Sequence, residues 1–364
     1  MRFVVTFIVA LWCSIASAEY RTFRIGVSLP LSGLLAEYGV AIRNGIELAR
    51  SDNPALFKNI DFIYEDNSYD PKKAVSTFQK FVDLDKVDEI LMWGNEPALS
   101  VAPIAEQRKF PMIAVAQYGR ISLNREYIIR FINTGDQYSD ALLTYLRTQG
   151  YKNLAIVQAE FSFFNMLIDG LKLHATDERI EVIEKVLPTE TDFRVTIAKL
   201  KRKKFDILGV YLVPPQVREF FKQAAELNFH PLTFGTTSFE SKGVLGASWQ
   251  FMNGAVFAHN AVTAQFRDRY VSQIGNDMQL AYAANAYDFA TLSAKLFGSL
   301  TQKPSAEEIL SSYANSGLQS GASGDYRFVK SGDGGKHFEF DIVVRKITGD
   351  TTEEMYRRRV TPNH

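Results

Sequence analysis

The chain of 364 residues has one cysteine, Cys13, and it lies inside an N-terminal apolar run. Everything after that run therefore has no disulfide framework, no thiol nucleophile and no cysteine-based metal site. Bulky Trp12 stands where a lipoprotein signal needs a small residue before the cysteine. Histidine is scarce as well. His174, His230, His259, His337 and His364 are scattered, with no His-x-x-x-His pair, so each reads as surface or satisfied core rather than a metal ligand. Beyond the start, no stretch approaches the ~20 apolar residues that span a bilayer. Neither sign of charge dominates, with Lys+Arg 41 against Asp+Glu 41. Such a balance gives no reason to expect nucleic acid or an anionic membrane as partner. Also missing are a Gly-x-Ser-x-Gly elbow and a Gly-x-Gly-x-x-Gly turn after a strand. No catalytic constellation, metal or cofactor is expected.

What is present begins with an export signal. Arg2 is a minimal basic region, Phe3 to Leu11 an apolar one, and Ala16-Ser17-Ala18 the small residues before a cut at Glu19. Residues 1–18 are thus a signal peptide, and the mature chain is expected in a periplasm. Its length suits about two domains, with a core large enough to need no disulfide.

The organising stretch is Arg24 to Arg50. An apolar run, Ile25 to Leu29, stops at Pro30; a Ser32-Gly33 turn follows; then Ala41, Ile42, Gly45, Ile46, Leu48 and Ala49 recur with helical spacing. This is a β-turn-α unit, and ligand crevices in α/β sheets lie outside the carboxyl ends of strands. The Ser32-Gly33 turn and Tyr38 are expected at such a crevice. Further units follow: Ile60–Tyr64, then Asp70-Pro71 opening a helix; Glu89–Trp93, closed by Gly94-Asn95; and Phe110–Ala116, with Gln117 and Tyr118 at its end. Asp70 suits an N-cap and Pro71 the first helical position. Near Asn133-Thr134-Gly135-Asp136 the alternation restarts, with strands expected over 153–157, 180–186, 207–212, 232–234 and 255–258. The tail reads as a hairpin, with strands 324–329 and 337–344 around Ser331–Gly335. The basic runs 199–204 and 357–359 read as a solvated helix end and a frayed terminus.

These residues carry a resemblance. Ile25-Gly-Val-Ser-Leu-Pro-Leu-Ser-Gly33, Tyr38-Gly39, Asp66 with Asp70-Pro71, Gly94 through Pro103, Pro111–Ala114, Phe205–Leu208, Phe234-Gly235, Tyr287-Asp288 and Gly332-Asp333 resemble, in order, the leucine/isoleucine/valine-type periplasmic binding proteins. These are the type I solute receptors of ABC importers. The resemblance implies two three-layer α/β/α lobes with parallel sheets, joined by three hinge crossings and closing over a ligand. Residues 19–136 plus 260–334 would form lobe one, and 137–259 plus 335–364 lobe two. Family pocket positions fall on Tyr38, Trp93, Asn95, Ala116, Gln117, Tyr118, Phe163, Tyr211 and Thr237. Asn95 matches a contact to the ligand's carboxylate, and Ala116 and Gln117 match backbone contacts.

Two departures shape the expected ligand. Tyr118 replaces a hydroxyl that would hold the carboxylate of an amino acid, and Thr237 replaces the acid that would pair its ammonium. A buried unpaired charge is very costly. Aromatic residues gather at the expected rim instead: Tyr38, Trp93, Tyr118, Phe161, Phe163, Phe164, Tyr211 and Phe239. The expectation is a non-enzymatic, monomeric receptor that delivers an apolar or aromatic small molecule, either a carboxylic acid or an uncharged polar compound, to an inner-membrane ABC permease. Two alternatives stay open: a sensing module for a membrane kinase or chemoreceptor, and an exported α/β enzyme using the same cleft.

Overall fold

The computed structural model describes residues 20–240, 246–332, 334–349 and 351–360. The expected signal segment lies outside them. The first run comprises β1 (Phe23–Leu29), α1 (Ala36–Asp52), β2 (Ile60–Asp66), α2 (Pro71–Lys80), β3 (Glu89–Trp93), α3 (Asn95–Gln107), β4 (Met112–Val115) and β5 (Ile128–Arg130). A second run holds α4 (Gly135–Thr148), β6 (Asn153–Ala159), α5 (Ser162–His174), β7 (Arg179–Val186), α6 (Arg194–Leu200), β8 (Ile207–Tyr211), α7 (Pro214–Glu226), β9 (Thr233–Gly235) and β10 (Val256–Asn260). The chain then goes through α8 (Ala264–Ile274), α9 (Leu280–Phe297) and α10 (Ala306–Ala314). Five strands end it: β11 (Gln319–Gly321), β12 (Gly324–Lys330), β13 (Lys336–Phe340), β14 (Ile342–Thr348) and β15 (Thr351–Arg358).

Two sheets result, one per lobe. Their strand orders are β11-β12-β13-β5-β4-β3-β1-β2 and β15-β14-β10-β9-β8-β6-β7. The β-α units pair in parallel, as their alternating period requires. The sheets as wholes are mixed rather than parallel, because the tail adds antiparallel strands to an edge of each.

The tail is where expectation and structure part. The segment 337–344 is two strands: β13 joins the first sheet and β14 the second, with a break at Asp341. The crossover from the first lobe to the second therefore falls at Asp341, later than the expected 334. At the break, the Asp341 carboxylate accepts from Arg357 at 3.0 Å and from the Val360 amide at 2.8 Å. Arg357 and Arg358 are correspondingly no frayed end. They lie in β15, and Arg358 reaches Asp140 at 3.1 Å.

The three crossings meet at one buried side chain. Asn133, just after β5, donates from Nδ2 to Asn260 Oδ1 at 2.9 Å and to the Phe340 carbonyl at 3.0 Å. Its Oδ1 accepts from the Phe340 amide at 3.1 Å. Ala261 and Asp341 add a backbone hydrogen bond of 2.8 Å between the second and third crossings.

Local signals behave as their chemistry requires. The Asp70 side chain accepts from Lys72 N and Lys73 N with Pro71 in the first turn of α2. Gly45 of α1 is dictated by packing, since a Cβ there would lie 2.1 Å from the Ala283 carbonyl of α9.

Under the first sheet sits a buried acid. Glu89 Oε1 accepts from Tyr313 at 2.7 Å, Tyr313 in turn bonds Ser293 at 2.7 Å, and Glu89 Oε2 has no partner. Burial, helped by nearby Asp88, pushes the Glu89 carboxyl from 4.5 up to about 8. The folded chain thus holds a proton that the unfolded chain releases near 4.5. This group's stability is complete below that pH and is lost as pH rises towards about 8. In Glu89→Gln, which keeps the acceptor and cannot ionise, we expect urea midpoints to fall less than those of the wild type between pH 5 and 8. Identical pH profiles for the two proteins would refute this assignment.

Candidate functional site

The strand ends of the two sheets face each other across a hollow with about 550 Å³ of atom-free space, its open mouth included. Its walls include Tyr38, Trp93, Asn95, Ala116 and Gln117 from the first lobe and Phe163 and Thr237 from the second, all expected from the sequence. The hollow is lined further by Leu35, Tyr69, Phe161, Phe164, Val213, Pro214, Ser238 and Tyr282. Among the described residues, its lining contains no charged side chain.

Aromatic rings form a continuous band across the gap. Trp93 stacks on Tyr38 at 5.1 Å between centroids and meets Tyr69 at 5.5 Å and Tyr282 edge-on at 6.0 Å. Tyr69 faces Phe161 of the other lobe at 6.3 Å, and Phe161 leads to Phe164 at 5.9 Å. Such contacts add roughly 0.5–1.5 kcal/mol each beyond buried area.

The local chain explains how these rings are held. Tyr69 follows β2 in a turn where Ser68 and Tyr69 both have positive φ, 47° and 59°. Buried Asn67 fixes that turn by accepting from the Tyr69 amide at 2.8 Å and donating to Ser28 Oγ at 3.0 Å. Gly94, with φ 101°, leaves room for the ring, because a Cβ there would sit 2.5 Å from Tyr69. Strain of this kind persists where the surroundings over-determine it, often at functional sites.

The polar groups of the hollow are neutral. Burial pushes the Tyr38 phenol well above its ordinary range, and its hydroxyl lies within hydrogen-bonding reach of Thr237 and Ser238 across the cleft. Burial likewise raises Tyr282, whose hydroxyl meets Thr237 and accepts from Gln117 Nε2 at 3.5 Å. Behind Tyr282, edge-on at 5.4 Å, His259 is pushed down to about 4 by burial and stays uncharged. The Glu96 carboxylate beside the hollow accepts from Tyr69 of its own lobe and from Ser162 of the other. These contacts hold the lobes together in a closed arrangement.

Two expected residues stand elsewhere. Tyr118 does not line the hollow. Its amide turns inward to Asn95 Oδ1, and its ring turns to a neighbouring groove, where Arg120 lies over it at 5.0 Å. Tyr211 lines a smaller chamber behind Thr237, its ring edge-on to Phe164 at 6.1 Å. The Ser32-Gly33 turn is also outside the hollow. Asp66 draws it away, accepting from the Leu31 amide at 2.8 Å and Ser32 Oγ at 2.6 Å. Tyr69, Ser238 and Tyr282 were missed by sequence reasoning. An aromatic directly before the Asp70-Pro71 helix start was a usable signal for Tyr69; Tyr282 sits inside an apolar helix that offers none.

A family model described as periplasmic binding protein matches residues 22–350, and the chain belongs to that family. The Leu/Ile/Val-binding protein homolog 2 of Brucella abortus is 24% identical over 223 residues, which span 58% of this chain and 60% of that protein. Among solved structures, the branched-chain amino acid transporter substrate binding protein LivJ of Streptococcus pneumoniae, in complex with isoleucine, superposes with a TM-score of 0.78. It is 18% identical, over 92% of this chain and 99% of that one. An ABC transporter solute binding protein of Rhodopseudomonas palustris BisB5, in complex with 3,4-dihydroxy benzoic acid, also gives 0.78, with 21% identity over 93% and 97%. At such identities the structural likeness speaks for the fold. Among the described residues no helix is long and apolar enough to cross a membrane.

Proposed function

We propose that this protein is an exported solute-binding receptor that captures a small apolar or aromatic molecule between its lobes and delivers it to an ABC permease. The observation that carries the reading is the band of seven aromatic side chains, drawn from both lobes, around a hollow whose described lining is uncharged. Flat rings packed against flat rings gain dispersion and exclude water, while a few hydroxyls fix orientation. The pocket residues are Tyr38, Trp93, Asn95, Ala116, Gln117, Phe163 and Thr237, joined by Tyr69 and Tyr282. An α-amino acid is disfavoured, because among the described residues neither an anionic partner for its ammonium nor a cation for its carboxylate lines the hollow. That solved neighbours were captured with isoleucine and with a dihydroxybenzoic acid supports the receptor reading and leaves both ligand types to be tested.

The test is a thermal-shift screen of the mature chain, stripped of any co-purified ligand, over amino acids, aromatic acids and aromatic amides. A ligand at 100 times its Kd stabilises by about 2.7 kcal/mol, which such a screen resolves. Stabilisation by ring compounds supports the reading; stabilisation by leucine-type amino acids alone overturns it.

A further inference from the structure

In the first lobe, the groups best placed to hold an anion are already satisfied by the chain itself. Beyond β4, the consecutive amides of Gln117 and Tyr118 converge on one point. Consecutive converging amides make a concavity suited to a carboxylate oxygen. That point is occupied by Asn95 Oδ1, which accepts from Gln117 N at 2.9 Å and Tyr118 N at 3.1 Å. Asn95 is buried, and its carbonyl supplies as a neutral group what a ligand oxyanion would otherwise bring. The second anion-seeking feature is the N-terminus of α3. Its first two amides, Asn95 and Glu96, face the hydroxyl oxygen of Tyr69, while Tyr69 itself donates to the Glu96 carboxylate. A negative charge thus already lies at this end of the cleft.

We propose that the ligand is an uncharged ring compound bearing a hydroxyl, carbonyl or amide, and that Asn95 is the residue that excludes aromatic carboxylates. The inference rests on the receptor reading above and narrows it to one ligand class. A carboxylate entering this hollow would shed its water and find no lining cation among the described residues, with the paired amides taken and Glu96 nearby to repel it. An uncharged polar substituent loses less on desolvation and has the hydroxyls of Tyr38, Tyr282, Thr237 and Ser238 to pair with. Selectivity here comes from a built-in obstacle to one competitor as much as from attraction to the ligand.

The experiment compares isosteric pairs on the stripped mature chain by calorimetry: benzamide and benzyl alcohol against benzoate, with benzyltrimethylammonium as the cation. The expected result is binding of the uncharged members at least tenfold tighter than benzoate or the cation. In Asn95→Ala, which uncovers both amides, benzoate should gain at least tenfold over its wild-type affinity. Benzoate or the cation binding the wild type as tightly as benzamide would overturn the inference and leave the receptor reading standing. If no member binds while leucine or isoleucine does, the reading of the cleft fails and the inference falls with it. Should Asn95→Ala not fold, the wild-type pairs decide alone.

Discussion

Asn133→Ala is expected to lose roughly 3–5 kcal/mol of stability, since each buried group left without its partner costs about 1–3 kcal/mol. The side chain is buried, and it serves both backbone polar atoms of Phe340 as well as Asn260 Oδ1. Alanine would leave the Phe340 amide and carbonyl unsatisfied between two lobes, where no strand neighbour can replace the lost partner. Asn260 retains a bond from Tyr138, so the loss there is partial. The check is urea unfolding of the ligand-free protein, and a cost under about 1 kcal/mol, the value of a single ordinary hydrogen bond, would show that the crossings do not depend on Asn133. Asn133→Asp separates geometry from bonding. It keeps the acceptor for the Phe340 amide and loses both donated bonds, so its destabilisation should match or exceed that of alanine at neutral pH, where a buried charge is added.

The contrast between legible and illegible features runs along sequence distance. Everything written within a few residues could be read: the period change between Ile25 and Ala49, the Asp70-Pro71 helix start, the strand ends at Trp93 and Ala116. Part of the aromatic concentration in the cleft was legible too, because Trp93 ends β3 and Phe161, Phe163 and Phe164 follow β6 by only a few residues, whereas Tyr282 lies inside α9. Asn133 was noticed only as a place where the pattern restarts, since its partner Phe340 lies 207 residues on. The break at Asp341 was hidden for a related reason. The alternation His337-Phe-Glu-Phe-Asp-Ile-Val-Val344 runs on as one strand by its period. Only the contacts to Arg357, Val360 and Ala261 divide it between two sheets. Tyr118 shows the limit of carrying a position over by resemblance. The position is close to the cleft, but whether a side chain or a backbone amide points inward depends on what Asn95 does opposite it. Ligand class depends on such details, which is why the fold was readable well before the cleft's chemistry.

The second large effect concerns the centre of the aromatic band. Trp93→Ala is expected to weaken ligand binding about a hundredfold, a loss of ~2.7 kcal/mol at 1.36 kcal/mol per decade, in the range of buried aromatic hot spots. Trp93 contacts Tyr38, Tyr69 and Tyr282 and so sets the spacing of three of the other rings as well as offering its own face. Removing a buried indole also costs roughly 3–5 kcal/mol of stability, so affinity must be measured on folded protein and a gentler variant is needed beside it. Trp93→Phe retains a flat apolar wall and should lose tenfold or less. The same residue provides the readout. The chain has three tryptophans: Trp12, within the expected signal segment, Trp93 in the cleft, and Trp249. Trp249 lies in the second lobe, where its Nε1 donates to the Gly349 carbonyl at 3.2 Å. A ligand seated against Trp93 changes the emission of that tryptophan and leaves Trp249 alone. Wild-type fluorescence should therefore shift on titration, Trp249→Phe should keep that shift, and Trp93→Phe should lose it while calorimetry still detects binding. A shift that persists in Trp93→Phe, or an affinity unchanged in Trp93→Ala, would move the ligand out of this cleft.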